Sequence, residues 1–501
     1  MSKTIKFSLY MAVATLMSRV LGLVRDAMFA NVFGSSPEYD AYLVAVLLPF
    51  FLRRIFGEGA LQSAFVPIYN KRAMIDSRSA TRFANTIFTV FVPILILCTL
   101  LGYYFMPYLI YLFAPGMEPA IREMAVMCGV VAFPFIIFIS LWAIKTGILN
   151  SHDIYFVPAF SPAIHNVFTI AGILLSPYFT PRILGPTVFF LIGGAFQFIS
   201  VLFIGKKKTG YRFEIDFVRE DMKEFSSLFL SSMAAVSITQ INSLIDTIVV
   251  SHLGQGSISL LQYANRLYQL PLGVIGVSVS TVALSQLSKR SLDSFREMVT
   301  DNLEKLLLLI LPAAAGMILL REGLVVFLFQ RGAFGIYETV FTSKILLGYL
   351  FGLPFYCVYF LLSKAEYALG KGNVAFFASC ISVGTNVILD FTLAPIQGAY
   401  GVALATSFAG MTPVAFLLVH LIRIKGLTMT RRQLSELLKT VSATAVMSAV
   451  LLMIAKTYSY SKPLVVLELV CGVLVYLLAL LLLRKQEMKR LILRWSRRGG
   501  P

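Results

Sequence analysis

The stretch SRVLGLVRDAMFANVFG, residues 18–34, and after a short break DAYLVAVLLPFFLRRIFGEGALQSAFVP, residues 40–67, decide how the chain must be read. Leucine, valine, phenylalanine and alanine fill every face of these runs, so neither has the polar face of a helix lying on a soluble core. A helix that is apolar all round is buried in a large core or in a membrane. Yet the runs carry Arg19, Arg25, Arg53 and Arg54 in their interiors. An arginine at mid-bilayer costs about 2.5–3.5 kcal/mol on insertion scales, and such residues face a bundle interior or an aqueous cavity. Helices that tolerate these charges have to enclose something.

The rest of the chain repeats the first half of this pattern. Of 501 residues, 58% are hydrophobic and only 14% charged, against about 25% charged in a soluble domain. The mean hydropathy is +0.80. Long apolar runs in this number exclude both a water-soluble core and a disordered chain, and read as bilayer spans of roughly 20 residues each. Apolar runs bounded by charge, Gly or Pro predict fourteen helices, centred near residues 20, 55, 97, 135, 168, 193, 237, 272, 307, 354, 382, 410, 445 and 473. The chain is thus expected to be an all-α polytopic membrane protein.

The net charge of +18 sits mostly between the runs, which fits membrane topology rather than nucleic acid. With the N-terminus inside, alternate connections collect Lys3 and Lys6; Lys71, Arg72, Arg78 and Arg82; Lys206–Lys208, Arg212, Arg219 and Lys223; Lys289, Arg290 and Arg296; Lys371; Arg423, Lys425, Arg431 and Arg432; and the tail from Arg484. The opposite side holds Arg122, Arg182, Arg321, Arg331, Lys456 and Lys462. The positive-inside rule then places both termini in the cytoplasm. The first run has no small-residue cleavage site and is expected to remain as a span. Cys98, Cys128, Cys357, Cys380 and Cys471 form no CxxC, and His152, His165, His252 and His420 have no ligand spacing, so these are read as structural.

The sequence resembles itself at an offset of 220: Asp26 with Asp246, Gly34 with Gly254, Leu149 with Leu369, Phe156 with Phe376, Asn166 with Asn386, and Val167 with Val387. Six helices separate corresponding positions, so the halves run parallel through the membrane. Parallel repeats with a substrate site between them are a transporter architecture. The expected domains are an N-lobe over 1–210, a C-lobe over 211–425, and two appended helices with a basic tail over 426–501.

Arg19 and Arg25 fall on the first predicted helix, Arg53 and Arg54 on the second, and Arg266 on the eighth. The planar guanidinium fork binds phosphate bidentately and keeps its charge at any physiological pH, so the group points to an anionic substrate; ion pairing with Asp26, Asp40 and Glu58 is the competing reading. Asp246, Asn386, Asp390 and Thr406 supply oxygen ligands suited to a hard cation, with ordinary interhelical bonding or a proton site as alternatives. Pro49, Pro134, Pro271, Pro312 and Pro354 interrupt spans and are expected to kink them; Gly273 and Gly276 add a bend after Pro271 near Arg266. There is no Walker A, GxSxG or HExxH motif and no convincing nucleophile, so an enzyme is not expected.

The two opening stretches, with QYANRLYQLPLGVIGVSVST at 262–281, GILN at 147–150 and YGVALATS at 400–407, resemble the MurJ (MviN) lipid II flippases of the MOP exporter superfamily, along the whole chain. The resemblance implies a fourteen-helix fold that carries lipid II, the undecaprenyl-pyrophosphate-linked peptidoglycan precursor, from the inner to the outer leaflet by alternating access. It implies substrate-binding roles for Arg19, Arg25, Arg53 and Arg266, with Ser18, Asp40 and Glu58 as polar partners. It implies a sodium site on Asp246, Asn386, Asp390, Thr406 and the Val402 carbonyl, and a lipid-tail groove on the last two helices. Asn265 stands where some members have Asp, and Ser285 where a proline is often found; these bear on local pairing and helix shape. Sodium is the candidate coupling ion, and no other cofactor is expected. The expected partners are lipid II, the bilayer and cell-wall synthesis proteins; nothing requires more than a monomer. The alternatives are an exporter of another polyprenyl-linked glycan and a cation-coupled drug exporter of the same superfamily, whose cavity would favour acids and aromatics over arginines.

Overall fold

The computed structural model describes residues 3–205, 210–216, 218–287, 295–457 and 462–483. Among them there is no strand. Of the predicted site residues, the Glu58 side chain lies outside this description, as do those of Lys3, Lys6, Lys206–Lys208, Arg219, Lys289, Arg290, Lys425, Lys456 and the tail from Arg484.

The helices are α1 (Lys3–Phe33), α2 (Pro37–Leu52), α3 (Ala60–Ile75), α4 (Ser77–Phe113), α5 (Pro119–Ala132), α6 (Phe135–Ser151), α7 (Phe156–Leu174), α8 (Leu184–Gly205), α9 (Arg219–Ser251), α10 (Ser257–Pro271), α11 (Ser278–Leu287), α12 (Phe295–Leu328), α13 (Ile336–Ala368), α14 (Gly372–Gln397), α15 (Ala399–Lys425), α16 (Arg431–Thr457) and α17 (Lys462–Leu483). Eleven segments among the described residues are long and apolar enough to cross a membrane. Their outer faces carry exposed Leu97, Phe203, Val473 and Leu482, side chains that only lipid solvates favourably. The chain is therefore an all-α, multi-pass membrane protein. Three more long helical stretches, α1, α2–α3 and α9, fall outside this count, and they hold Arg19, Arg25, Arg53, Arg54 and Asp246.

The prolines act unequally. Pro134 lies in the break between α5 and α6. Pro49 and Pro271 close α2 and α10, and each is followed by a π-helical turn, Arg53–Gly59 and Leu272–Val277. Pro lacks the N–H of the i→i−4 ladder and weakens a helix where it stands; π-helical turns cluster at functional sites. Pro312 and Pro354 sit inside α12 and α13, which continue through them.

The described chain falls into two compact units, 1–259 with 331–334, and 260–330 with 335–501. In the first, α7 packs on α1 and α8. Its core is aromatic: the Phe29 ring stacks on Tyr39 at 4.7 Å, and Phe190 meets Phe135 at 4.6 Å and His165 at 4.8 Å. Ser36 caps α2, with Pro37 at its first turn, and Asp76 caps α4 through the N–H groups of Arg78 and Ser79. A polar clamp closes the end of α3: buried Arg72 donates to Asp221 on α9 and lies 5.2 Å from the Phe83 ring.

In the second unit α13 packs closely on α15, with small residues at the contact: a side chain at Gly348 would meet the Ala403 methyl at 2.8 Å. Ser407 donates to the carbonyl of Gly348 at 2.5 Å. A separate group of α12, α16 and α17 buries Leu320, Ala443, Met447, Leu451 and Tyr476, and the Tyr476 hydroxyl donates to the Leu308 carbonyl at 2.7 Å.

Candidate functional site

The first unit brings three of the predicted residues into one polar network. Arg25 donates through Nε and Nη2 to Asp26 Oδ1 at 3.0 and 2.7 Å, and through Nη1 to Asn166 Oδ1 at 3.2 Å. Asn166 in turn donates to the carbonyl of Ser18 at 3.2 Å. The Asn166 amide thus ties α7 to two turns of α1 and holds the guanidinium in place. One aspartate oxygen takes two of the five donors, so the charge is balanced while part of the fork stays available. The Arg25 side chain is 14% exposed. Asn166 was visible in the sequence only through the repeat.

Arg19, two turns earlier on α1, is exposed. Arg53 and Arg54 open the π-helical turn. Half-buried Arg53 lies 6.0 Å from the Phe50 ring, and Arg54 donates to Gln240 on α9 at 2.5 Å. Gln240 carried no signal in the sequence, because its partner lies 186 residues away. Two more contacts follow the same line along α9: Ser232 Oγ is 2.9 Å from Ser63 Oγ, and a Cβ at Gly59 would meet Val236 at 2.8 Å.

Asp40 has a different environment. It is buried on α2 and accepts from the backbone N–H groups of Gly256 at 2.6 Å and Ser259 at 2.8 Å, and from the Ser259 hydroxyl. Supplied from α2, it serves as the N-terminal cap of α10, satisfying donors that a helix start leaves orphaned.

In the second unit, Arg266 is half-buried on α10, and the neighbouring Asn265 accepts from Gln269 at 3.2 Å. Asn386 and Asp390 are both buried on α14, and Asn386 Nδ2 donates to Asp390 Oδ2 at 2.9 Å. Asn386 Oδ1 is buried and accepts no hydrogen bond. On α15, Thr406 Oγ1 donates to the Val402 carbonyl at 3.2 Å. A carboxylate beside an orphaned amide oxygen fits a hard monovalent cation, which needs oxygen ligands and some charge compensation. Asp246 belongs to the first unit. Among the described residues no three His, Cys, Asp or Glu side chains form a metal cluster.

Known proteins place the chain in a family. The sequence profile described as lipid II flippase MurJ matches residues 29–475. The chain is 35% identical to the probable lipid II flippase MurJ of Thermotoga maritima, over 99% of each chain. It is 35% identical to the lipid II flippase MurJ of Thermosipho africanus, over 82% of this chain and 84% of that one. A solved structure described as lipid II flippase MurJ in an inward closed conformation superposes with a TM-score of 0.85 at 35% identity, covering 96% of this chain and 100% of the other. An inward-facing multidrug MATE transporter of the MOP superfamily superposes at 0.68 with 16% identity, over 84% and 98% of the two chains, and so shares the fold. With the family's profile across its length and full-length relatives at this identity, the chain belongs to the lipid II flippase MurJ family.

Proposed function

We propose that the chain carries lipid II from the inner to the outer leaflet of the cytoplasmic membrane by alternating access, and that Arg19, Arg25, Arg53 and Arg266 bind its pyrophosphate. The observation that carries the arginine part is the network on α1. Arg25 is kept charged by one carboxylate, aimed by Asn166, and left with unused donors inside an apolar bundle. A polyprenyl tail is compatible with lipid, whereas a pyrophosphate is not, and a guanidinium pair matches its geometry. Ser18 takes part through its backbone, and Glu58 belongs to the same set by its place on the π-helical turn. In this reading Asp40 holds α10 rather than the substrate.

The fourteen helices divide into two six-helix lobes, over 1–210 and 211–425, with two appended helices after them, and both termini are cytoplasmic. The three charged stretches α1, α2–α3 and α9 complete the count. Sodium is held by Asp390, Asn386, Thr406, the Val402 carbonyl and Asp246, and supplies charge compensation in one state of the cycle. The protein works as a monomer and catalyses no covalent step.

The test is complementation of a strain depleted of its lipid II flippase, with each of Arg19, Arg25, Arg53 and Arg266 changed to alanine. Rescue by the wild-type chain and loss with each variant is the expected result. Rescue by every variant overturns the arginine role, and no rescue by the wild type overturns the substrate. For the ion, sodium-dependent stabilisation that survives Asp390→Ala overturns the ligand set.

A further inference from the structure

A titratable pair in the second unit lies apart from both the arginines and the α14 carboxylate. Glu366, in the last turn of α13, is 0% exposed. Its Oε1 is 2.7 Å from Nδ1 of His420 on α15, and its Oε2 is buried without a hydrogen-bond partner. The His420 side chain remains 21% exposed, and the Phe416 ring stacks on it at 6.5 Å. A ring nitrogen and a carboxylate oxygen approach to this distance with a proton between them, which a neutral Nδ1–H imidazole supplies as well as an imidazolium does.

The surroundings bear on the net charge of the pair. Glu366 stands at the carbonyl end of α13, where the helix dipole disfavours an anion. A buried carboxylate that loses its counter-charge is costly. Among the described residues no lysine or arginine pairs with it. On the same helix Lys364 lies over the Tyr367 ring at 5.7 Å, and Lys344 over Tyr400 at 5.6 Å. Lys371 gives only its backbone N–H to the Glu366 carbonyl, at 2.9 Å. On α15 Arg423 is exposed; on α12 Lys305 is exposed and Asp301 accepts from Gln433. The one charged side chain of α14, Asp390, accepts from Asn386, and α11 has none. His420 is therefore the ionisable side chain that faces Glu366, and both lie within the last two turns of their helices, where an apolar span approaches the membrane–water interface.

We propose that Glu366 and His420 form a proton-binding site, exchanging with water through the imidazole, whose occupancy sets the rate of the transport cycle. With a second proton bound, beyond the one in the hydrogen bond, the pair is net neutral and the α13–α15 seam stays closed. Without it a buried anion is left on that seam, which favours its rearrangement. The statement about rate rests on the lipid II reading, whereas proton binding does not.

The test uses infrared difference spectra of the purified full-length protein in lipid, stepped between about pH 5 and about pH 8, the range in which imidazoles change charge. Glu366→Gln and His420→Gln keep size and hydrogen bonding. The wild type is expected to show paired carboxyl and imidazole bands. Glu366→Gln should lose the first and shift the second, and His420→Gln should do the reverse. In proteoliposomes, the lipid II flipping rate of the wild type should change several-fold across this range and that of Glu366→Gln should stay flat, with both remaining folded by thermal melting. Identical difference spectra for wild type and both variants overturn the site. Lost bands with an unchanged pH profile overturn its coupling to transport. A wild type that flips no lipid II at any pH counts against the substrate and leaves the spectra to decide the site.

Discussion

Replacing Asp40 by alanine separates two roles for a carboxylate that sequence alone left together. The side chain accepts two backbone N–H groups, from Gly256 and Ser259, and a hydroxyl that can rotate to another acceptor. Removing it strands the two backbone donors in a buried position. Each orphaned donor costs about 1–3 kcal/mol, so Asp40→Ala is expected to destabilise the first unit by about 2–6 kcal/mol. Asp40→Asn keeps one acceptor and should cost roughly half as much. With Cys98, Cys380 and Cys471 replaced by serine, the buried thiols of Cys128 and Cys357 provide the readout, since a thiol-reactive dye labels them only as the detergent-solubilised protein unfolds. A clear fall in Tm for Asp40→Ala, with a smaller one for Asp40→Asn, fits a cap on α10. An unchanged Tm with transport abolished would refute that account and return Asp40 to the substrate.

Two further outcomes follow from close approaches. Gly34 has φ +57°, and a Cβ there would stand 2.9 Å from the carbonyl carbon of Ala333; Gly34→Ala should lower Tm, with the backbone strain alone worth about 1–2 kcal/mol, and an unaltered melting curve would show that the 331–334 turn yields. In a background lacking the native cysteines, Ser63→Cys with Ser232→Cys should crosslink under mild oxidation, because the two hydroxyls are 2.9 Å apart; a pair that stays reduced would mean that α9 spends its time away from α3, while a crosslink that stops flipping until reductant is added would mark this line as one that must part.

The membrane fold and the unusual arginines were legible because both are properties of composition along one strand of chain. Wholly apolar runs have few structural options, and a charge within them stands out by its cost. Proline and glycine around 271–276 pointed to a bend, and a π-helical turn occupies that place. Its counterpart at Arg53–Gly59 leaves no such mark, because nothing in RRIFGEG distinguishes a wide turn from an ordinary one. Partnerships were harder still. Asp40 looked like a counter-ion for arginine, but its partners are backbone groups more than 200 residues on. Arg72 is a topology signal in the sequence and a buried anchor for α9 in the fold. His420 has no ligand spacing, and its meaning arises only when α13 and α15 bring Glu366 beside it. Sequence reports what a residue can do, and long-range packing decides which of those things it does.

The paired wide turns carry a consequence for how such helices can move. A π-helical turn holds surplus chain within an otherwise regular rod. If that surplus passes along the rod, only the residues between its old and new positions swivel, by about 100° for each residue carried across, while both ends keep their places in the bundle. Arg53 and Arg54 sit at the leading edge of one such slack turn, and Arg266 lies six positions ahead of the other. A side chain mounted beside that slack can be re-aimed through a large angle without any helix being tilted or slid.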